Sequence, residues 1–302
     1  MHKQLWNVLR LEFAVTPKAP LLIKSGMLSP NPSLPDTQFV RTITANGETV
    51  FIPGSSLKGV FRSFSERILR TLNGGDWACD PLDKQKNCEI LRLSKLDKKA
   101  KDYTAQVYAN SCCACKLYGN TCLRGRVAFA DAFPDCGVKT ETRYGVAISR
   151  LTNAVAHGPF DMEIVVAGAF RGSLTVGNFE VWQLGLLALT IRALNDGLVR
   201  IGFGKNRGFG EVTFTVTQVA LDLAKANSAI PPDQLWGIGK FVNQDERQAY
   251  GLREDDLISG LSEPLSVTDL AVSARRTYSA EGWQVIAEKA IQYLPIALEV
   301  RR

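Results

Sequence analysis

The stretch NFEVWQLGLLALTIRALNDGLVRIGFGKNRGFGEVTFTVT, residues 178–217, reads as a helix, a glycine-rich loop and a strand in succession. From about 178 to 194, Val181, Trp182, Leu184, Leu186, Leu187, Leu189 and Ile191 occupy nearly every direction around a helix axis, so the spacing predicts a helix packed between layers. Asn195-Asp196-Gly197 supplies its stop signal. Four glycines in nine residues follow, Gly202 to Gly210, alternating with aromatic and basic side chains. Val212, Phe214 and Val216 then alternate with Thr213, Thr215 and Thr217, the period of a half-buried strand.

Working back toward the N-terminus, Leu9, Leu11, Phe13 and Val15 alternate with more polar neighbours and predict a first strand. The next segment, SGMLSPNPSLPDTQ, carries Pro30, Pro32 and Pro35, and each removes a backbone donor and restricts the residue before it, which predicts a long loop. A short strand over 49–52 ends at Pro53-Gly54. There Ser55 or Ser56 can cap a helix with apolar residues at Leu57, Val60, Phe61, Phe64, Ile68 and Leu72. Further strands are expected at 126–130 and 162–169, separated by a polar excursion. The order strand, helix, strand, strand, helix, strand gives an α+β fold: a ferredoxin-like or RRM-like βαββαβ core with an antiparallel sheet and large insertions. On this reading residues 1–223 form the core, 76–122 and 139–160 are insertions, and 224–302 are an acidic extension with a candidate helix at 280–293.

Charge is divided along the chain in the same way. Of 36 Lys+Arg and 30 Asp+Glu, residues 217–302 hold 9 basic and 12 acidic, leaving 27 basic and 18 acidic before them. A surplus of this kind suits a polyanion. Composition near the globular average and mean hydropathy of −0.03 exclude disordered and collagen-like classes. No apolar run approaches a membrane span and the N-terminus carries charges through its apolar positions, so a cytoplasmic protein is expected. All seven cysteines lie between Cys79 and Cys136, and an odd count with a Cys112-x-x-Cys115 pair argues for metal ligation over disulfides. Cys79 and Cys88 could complete a zinc site with Cys112 and Cys115, with Cys113 as an alternative to its neighbour and Cys122 or Cys136 as alternatives to Cys79 or Cys88.

In the glycine-rich loop, backbone N–H groups can approach phosphates closely, Lys205 and Arg207 supply charge, and Phe203 or Phe209 could stack on a base or pack beneath. The loop does not open a helix after a first strand, and no GxxxxGK[ST] occurs, so dinucleotide and P-loop folds are excluded. At the first helix Lys58 and Arg62, four apart, share a face near a helix N-terminus.

Phe51-Ile52-Pro53-Gly54-Ser55-Ser56-Leu57-Lys58-Gly59-Val60-Phe61-Arg62, the Cys115-Lys116-Leu117-Tyr118-Gly119-Asn120 passage with Val127-Ala128-Phe129-Ala130-Asp131-Ala132, and the glycine-rich loop together resemble the RAMP superfamily of CRISPR-associated proteins. The resemblance covers about residues 5–220 and is greatest to the backbone subunit of type III effector complexes, with zinc-bearing type III-D subunits as an analogy. It implies a subunit of an antiviral ribonucleoprotein that stacks along a CRISPR guide RNA beside other effector subunits. It further implies guide-phosphate contacts from Ser55, Ser56, Lys58, Arg62, Lys205, Asn206 and Arg207, and a thumb-like hairpin at 139–160 in which Arg143, Arg150 and Leu151 meet the guide–target duplex. Asp36 resembles the family's catalytic acid by its loop position, which implies cleavage of single-stranded target RNA by 2′-OH attack, aided by a divalent cation such as Mg. An inactive, purely structural subunit is the alternative. A precursor-processing nuclease would have to use His157, since His2 stands at the terminus.

Overall fold

The computed structural model describes residues 3–26, 35–45, 47–73, 77–135, 137–225 and 230–299. His2, Cys136 and most of the Pro-rich loop lie outside them. Four strands form the expected core: Asn7–Pro17, Val127–Phe129, Phe170–Gly177 and Val212–Ala224. The fourth lies beside the first, the first beside the third and the third beside the second, all antiparallel. That is the ferredoxin-like order. The first strand buries Leu9, Leu11, Phe13 and Val15 and leaves Arg10 and Glu12 exposed, so one sheet face is covered and the other is wet.

The long helices cover the buried face. Gly54–Asn73 buries Leu57, Phe61, Ser65 and Leu69, and the Phe61 ring lies 4.9 Å from Phe129 and 5.7 Å from Phe214. Leu72, expected on the apolar stripe, is exposed, because the buried face runs one residue off at Leu69. Val181–Asn195 is buried almost all round, as its composition predicts, between the sheet and a C-terminal helix, Ala280–Glu299.

Two strand readings need correction. The short strand expected over 49–52 runs instead from Gly47 to Val50, paired with Arg41–Thr44, and Ile52 makes only a bridge to Ala132. The expected core strand at 162–169 belongs instead to a hairpin, Lys139–Ile148 paired with Val155–Ala167, and the third core strand follows it. The run Met162 to Val165 looks like a core strand because it is buried on consecutive residues, with Leu21 and Thr37 bridged to it. The true strand hides its alternation at Gly172, where the Phe13 ring occupies the space a side chain would need. On the fourth strand the buried residues switch from Val212, Phe214 and Val216 to Val219, Leu221 and Leu223. The change of parity marks a β-bulge at Thr217, opposite the Glu12/Phe13 step.

The extension adds to this sheet. Ser273–Tyr278 pairs with the fourth core strand and Ser266–Asp269 pairs outside it. The Cys-rich insertion, which shows little periodicity in sequence, contains the helices Tyr103–Asn110 and Cys113–Tyr118. Its Val107 and Tyr108 share a small second core with Ile238, Val242 and Tyr250 of the extension.

Candidate nucleic-acid interface and metal centre

The start of the first helix is built by two motifs far apart in sequence. Ile52 and Ala132 exchange backbone hydrogen bonds of 2.9 Å in both directions, and the Gly54 N–H donates to the Asp131 carboxylate at 2.7 Å. A Cβ on Gly54 would stand 2.3 Å from the Phe129 carbonyl oxygen, so the close approach requires glycine. This joint presents Ser55 exposed and Ser56 and Lys58 half-buried. Burial, and secondarily the Arg62 guanidinium, lowers the Lys58 ammonium below its usual range.

Arg62 is more committed than its sequence position suggests. Its guanidinium donates to Glu66 at 2.8 Å and to the Gly119 carbonyl at 3.0 Å, and reaches the Cys115 sulfur at 3.7 Å. It joins the helix to the Cys-rich insertion.

The glycine-rich loop is held from beneath. Gly202, Gly204, Gly208 and Gly210 all adopt positive φ, and a Cβ on Gly202 would lie 2.3 Å from the Leu22 carbonyl oxygen. The Phe203 N–H donates to that same carbonyl at 2.7 Å. Lys205–Arg207 forms one turn of 3₁₀-helix with all three side chains exposed. Phe209 is buried beneath the turn, whereas Phe203 is partly exposed under Arg207, 5.7 Å from ring centroid to guanidinium. Arg143 of the hairpin stands 5.6 Å over the Phe209 ring, which brings one predicted hairpin contact to the loop. Arg150 and Leu151 instead occupy the turn at the hairpin's far end, with Leu151 97% exposed.

A cavity of about 390 Å³ separates the loop from the first helix, lined by Ser63, Arg67, Arg200, Lys205 and Asn206 among others. Ser63, Arg67 and Arg200 escaped the sequence reading, although Ser63 and Arg67 repeat the four-residue spacing of Lys58 and Arg62 one face further round. Lys58 and Arg62 face away from this cavity, toward residues 118–125. The helix therefore carries basic side chains on two flanks.

Asp36 docks on the base of the hairpin. Its backbone N–H donates to the Asp161 carboxylate at 2.7 Å, and its own carboxylate accepts the Asp161 N–H at 3.2 Å. The residue is exposed. His157 is the one histidine among the described residues, on the exposed outer part of the hairpin, so no histidine pair is assembled there.

The four cysteines named for a metal converge. Cys79, Cys88, Cys112 and Cys115 are all buried and their sulfurs lie within 4.8 Å of one another. Cys113 and Cys122 stand outside the group, and Cys136 lies outside the described residues. Cys112 caps the helix Cys113–Tyr118, its sulfur accepting the Cys115 N–H at 3.4 Å and the Cys79 N–H at 3.4 Å, while Cys88 accepts the Cys112 N–H at 3.3 Å. Backbone N–H groups aimed at sulfur favour thiolates. Hydrogen bonds from the Cys115, Cys79 and Cys88 thiols pull Cys112 far below the ordinary thiol range. The 3.6 Å between the Cys79 and Cys115 sulfurs is close to the roughly 3.8 Å edge of a tetrahedron with Zn–S bonds of about 2.3 Å. The donor set and spacing fit a tetrahedral metal ion such as zinc.

None of the described helices is long and apolar enough to cross a membrane. A comparison with curated proteins returned no match. The family model of the RAMP superfamily, however, matches residues 15–213, which run from the end of the first core strand to the start of the last and take in the second and third core strands, both core helices, the cysteine cluster and the glycine-rich loop. The chain belongs to the RAMP superfamily of CRISPR-associated, RNA-binding proteins.

Proposed function

We propose that this chain is a backbone subunit of a type III CRISPR effector, holding guide RNA by its phosphates alongside other effector subunits. The carrying observation is the exposed Lys205, Asn206 and Arg207 on a loop whose backbone is locked from beneath, beside a cavity that adds Arg67 and Arg200. Cations carried on a held backbone suit sequence-independent phosphate contact, with the partly exposed Phe203 ring beside them free to stack on a base without reading it. Cys79, Cys88, Cys112 and Cys115 would hold a structural zinc ion that staples the insertion. The test is binding of labelled single-stranded RNA by the purified subunit. A Lys205→Ala, Arg207→Ala double variant is expected to bind at least tenfold more weakly, with the log–log salt slope reduced by about 1.4 for two lost contacts. Equal affinity and slope would overturn the reading.

A second reading adds target-RNA cleavage at Asp36, supported by its exposed carboxylate at the foot of the hairpin. Among the described residues, no group of three metal-ligating side chains includes Asp36. The part its own carboxylate would take is that of a base. Asp36 accepts the proton of the 2′-OH, the 2′-oxygen bonds to phosphorus, the bond to the 5′-oxygen breaks, and that oxygen takes a proton from water to leave a 2′,3′-cyclic phosphate. Asp36→Ala in the assembled complex should abolish cutting opposite this subunit while guide binding persists. Unchanged cutting would remove Asp36 from the mechanism, and no cut opposite this subunit in the unaltered complex would leave the structural, non-cleaving subunit as the answer.

A further inference from the structure

Resting on the reading of the four cysteines as a metal centre, we propose that the first helix supplies that centre's outer shell, with Arg62 and Arg70, set by Glu66 between them, positioning Cys115 and Cys79. Arg62, Glu66 and Arg70 stand four residues apart and share one helix face. The Glu66 carboxylate is only 6% exposed and accepts from Arg62 at 2.8 Å and from Arg70 at 3.4 Å. Burying a carboxylate is costly, and an exposed pair would support the helix as well, so the ladder answers to what lies beyond it. Past Glu66, each guanidinium reaches a cysteine. Arg62 donates to the Cys115 sulfur at 3.7 Å and to the Gly119 carbonyl at 3.0 Å, and Arg70 donates to the Cys79 carbonyl at 2.6 Å.

The helix complements what the backbone does at the same centre. Backbone N–H groups meet the sulfurs of Cys112 and Cys88, and the first helix serves the two remaining members. Four thiolates around a divalent ion carry two net negative charges, which a buried site tolerates only beside cations and donors. Arg62 supplies both, with all three guanidinium nitrogens engaged inside the protein. A hydrogen bond into a ligating sulfur fixes its direction and tempers its donor strength, the part that partners of metal-bound side chains generally play. A cavity of about 150 Å³ is lined by Cys79, Cys88 and Cys115 together with Arg62, Glu89 and Thr121, so Arg62 also stands beside the approach to the sulfurs.

The experiment measures zinc affinity of the full-length protein by competition with a chromophoric chelator, and melting temperature with and without zinc, for Arg62→Ala, Arg62→Lys and Arg70→Ala. Arg62→Ala and Arg70→Ala are each expected to weaken zinc binding about tenfold or more, with Arg62→Lys recovering part of the loss. Each alanine variant should lower the melting temperature more in the zinc-loaded protein than in the stripped one, whereas a plain helix staple would lower both alike. In cobalt-substituted protein, Arg62→Ala should move the sulfur-to-metal charge-transfer band to longer wavelength. Arg70→Ala, which removes a donor to a carbonyl, should leave the band in place. If both alanine variants keep the parent's zinc affinity, the outer shell is wrong and the four-cysteine centre stands. A reduced salt slope of RNA binding in Arg62→Ala at unchanged zinc affinity would likewise overturn the proposal and return Arg62 to phosphate contact. If the parent protein holds no zinc, both the shell and the metal centre fall.

Discussion

A methyl group on Gly54 would meet the carbonyl oxygen of Phe129, and that carbonyl cannot retreat, because Val127–Phe129 is laddered to Phe170–Gly177. Gly54→Ala should therefore cost about 1–3 kcal/mol as an overpacked joint, read as a lower denaturant midpoint at unchanged m-value. Asp131→Ala removes the cap from the same helix and should cost about 1 kcal/mol. The two effects should add to less than their sum, because each loosens the contact the other depends on. Additivity within about 0.3 kcal/mol would show that the cap and the close approach act separately. Both residues are visible in sequence as parts of motifs. Their partnership is not, because Asp131 reaches a backbone donor 77 residues earlier and no linear pattern encodes that meeting.

At the scale of elements, what the sequence revealed depends on whether burial is one-sided. The first strand and the Val181–Asn195 helix were legible because one is buried on a single face and the other on all. The segment Phe170–Gly177 was not, since Gly172 interrupts its apolar face, and the hairpin arm beside it mimics a core strand by being covered on both sides. The last helix, expected over 280–293, takes Pro295 into its interior. It continues to Glu299 because Ala297 and Leu298 are fully buried. The insertion lacked any periodic signal because it is organised around four converging cysteines and a core shared with the extension, with no long amphipathic face of its own: the cysteine spacing identified all four members but could not exclude Cys113 or Cys122. Removing the metal from this centre should therefore loosen one region selectively. Elemental analysis should give about one zinc per chain, and a strong chelator should lower the melting temperature and speed tryptic cleavage at the exposed lysines of the Lys95 to Lys101 segment before the core is cut. Cys115→Ser should do the same without chelator, and should weaken RNA binding as Arg62 loses its anchor. Trypsin patterns identical with and without chelator would count against a structural metal.

For the molecule as a whole, the opposed charges of the two parts hide how closely they are joined. The basic residues proposed to face RNA lie before residue 217, and the acidic extension contributes to the same sheet and to the far side of the same helix layer. Asn7 at the start of the first strand donates to the carbonyls of Phe179 and Trp236, and the buried Asp256 accepts the Val181 N–H at the start of the second core helix. Gly185 lets the C-terminal helix approach so closely that a Cβ there would stand 2.5 Å from the Ala290 carbonyl oxygen. Buried Arg276 donates to the carbonyls of Ile230, Pro231, Pro232 and Gln234, which turns the entry to the extension back onto the sheet edge. The RNA-facing part should therefore depend on the acidic part for stability while needing none of its charge for binding. Trp283→Ala, which empties a buried site between the last helix and the core, should cost about 3–5 kcal/mol and lower the single cooperative transition of the whole protein. Neutralising the exposed Glu254 and Asp269 should leave both the transition and the salt slope of RNA binding unchanged. Two separate unfolding transitions, with only the weaker one moved by Trp283→Ala, would mean that the two parts fold independently after all.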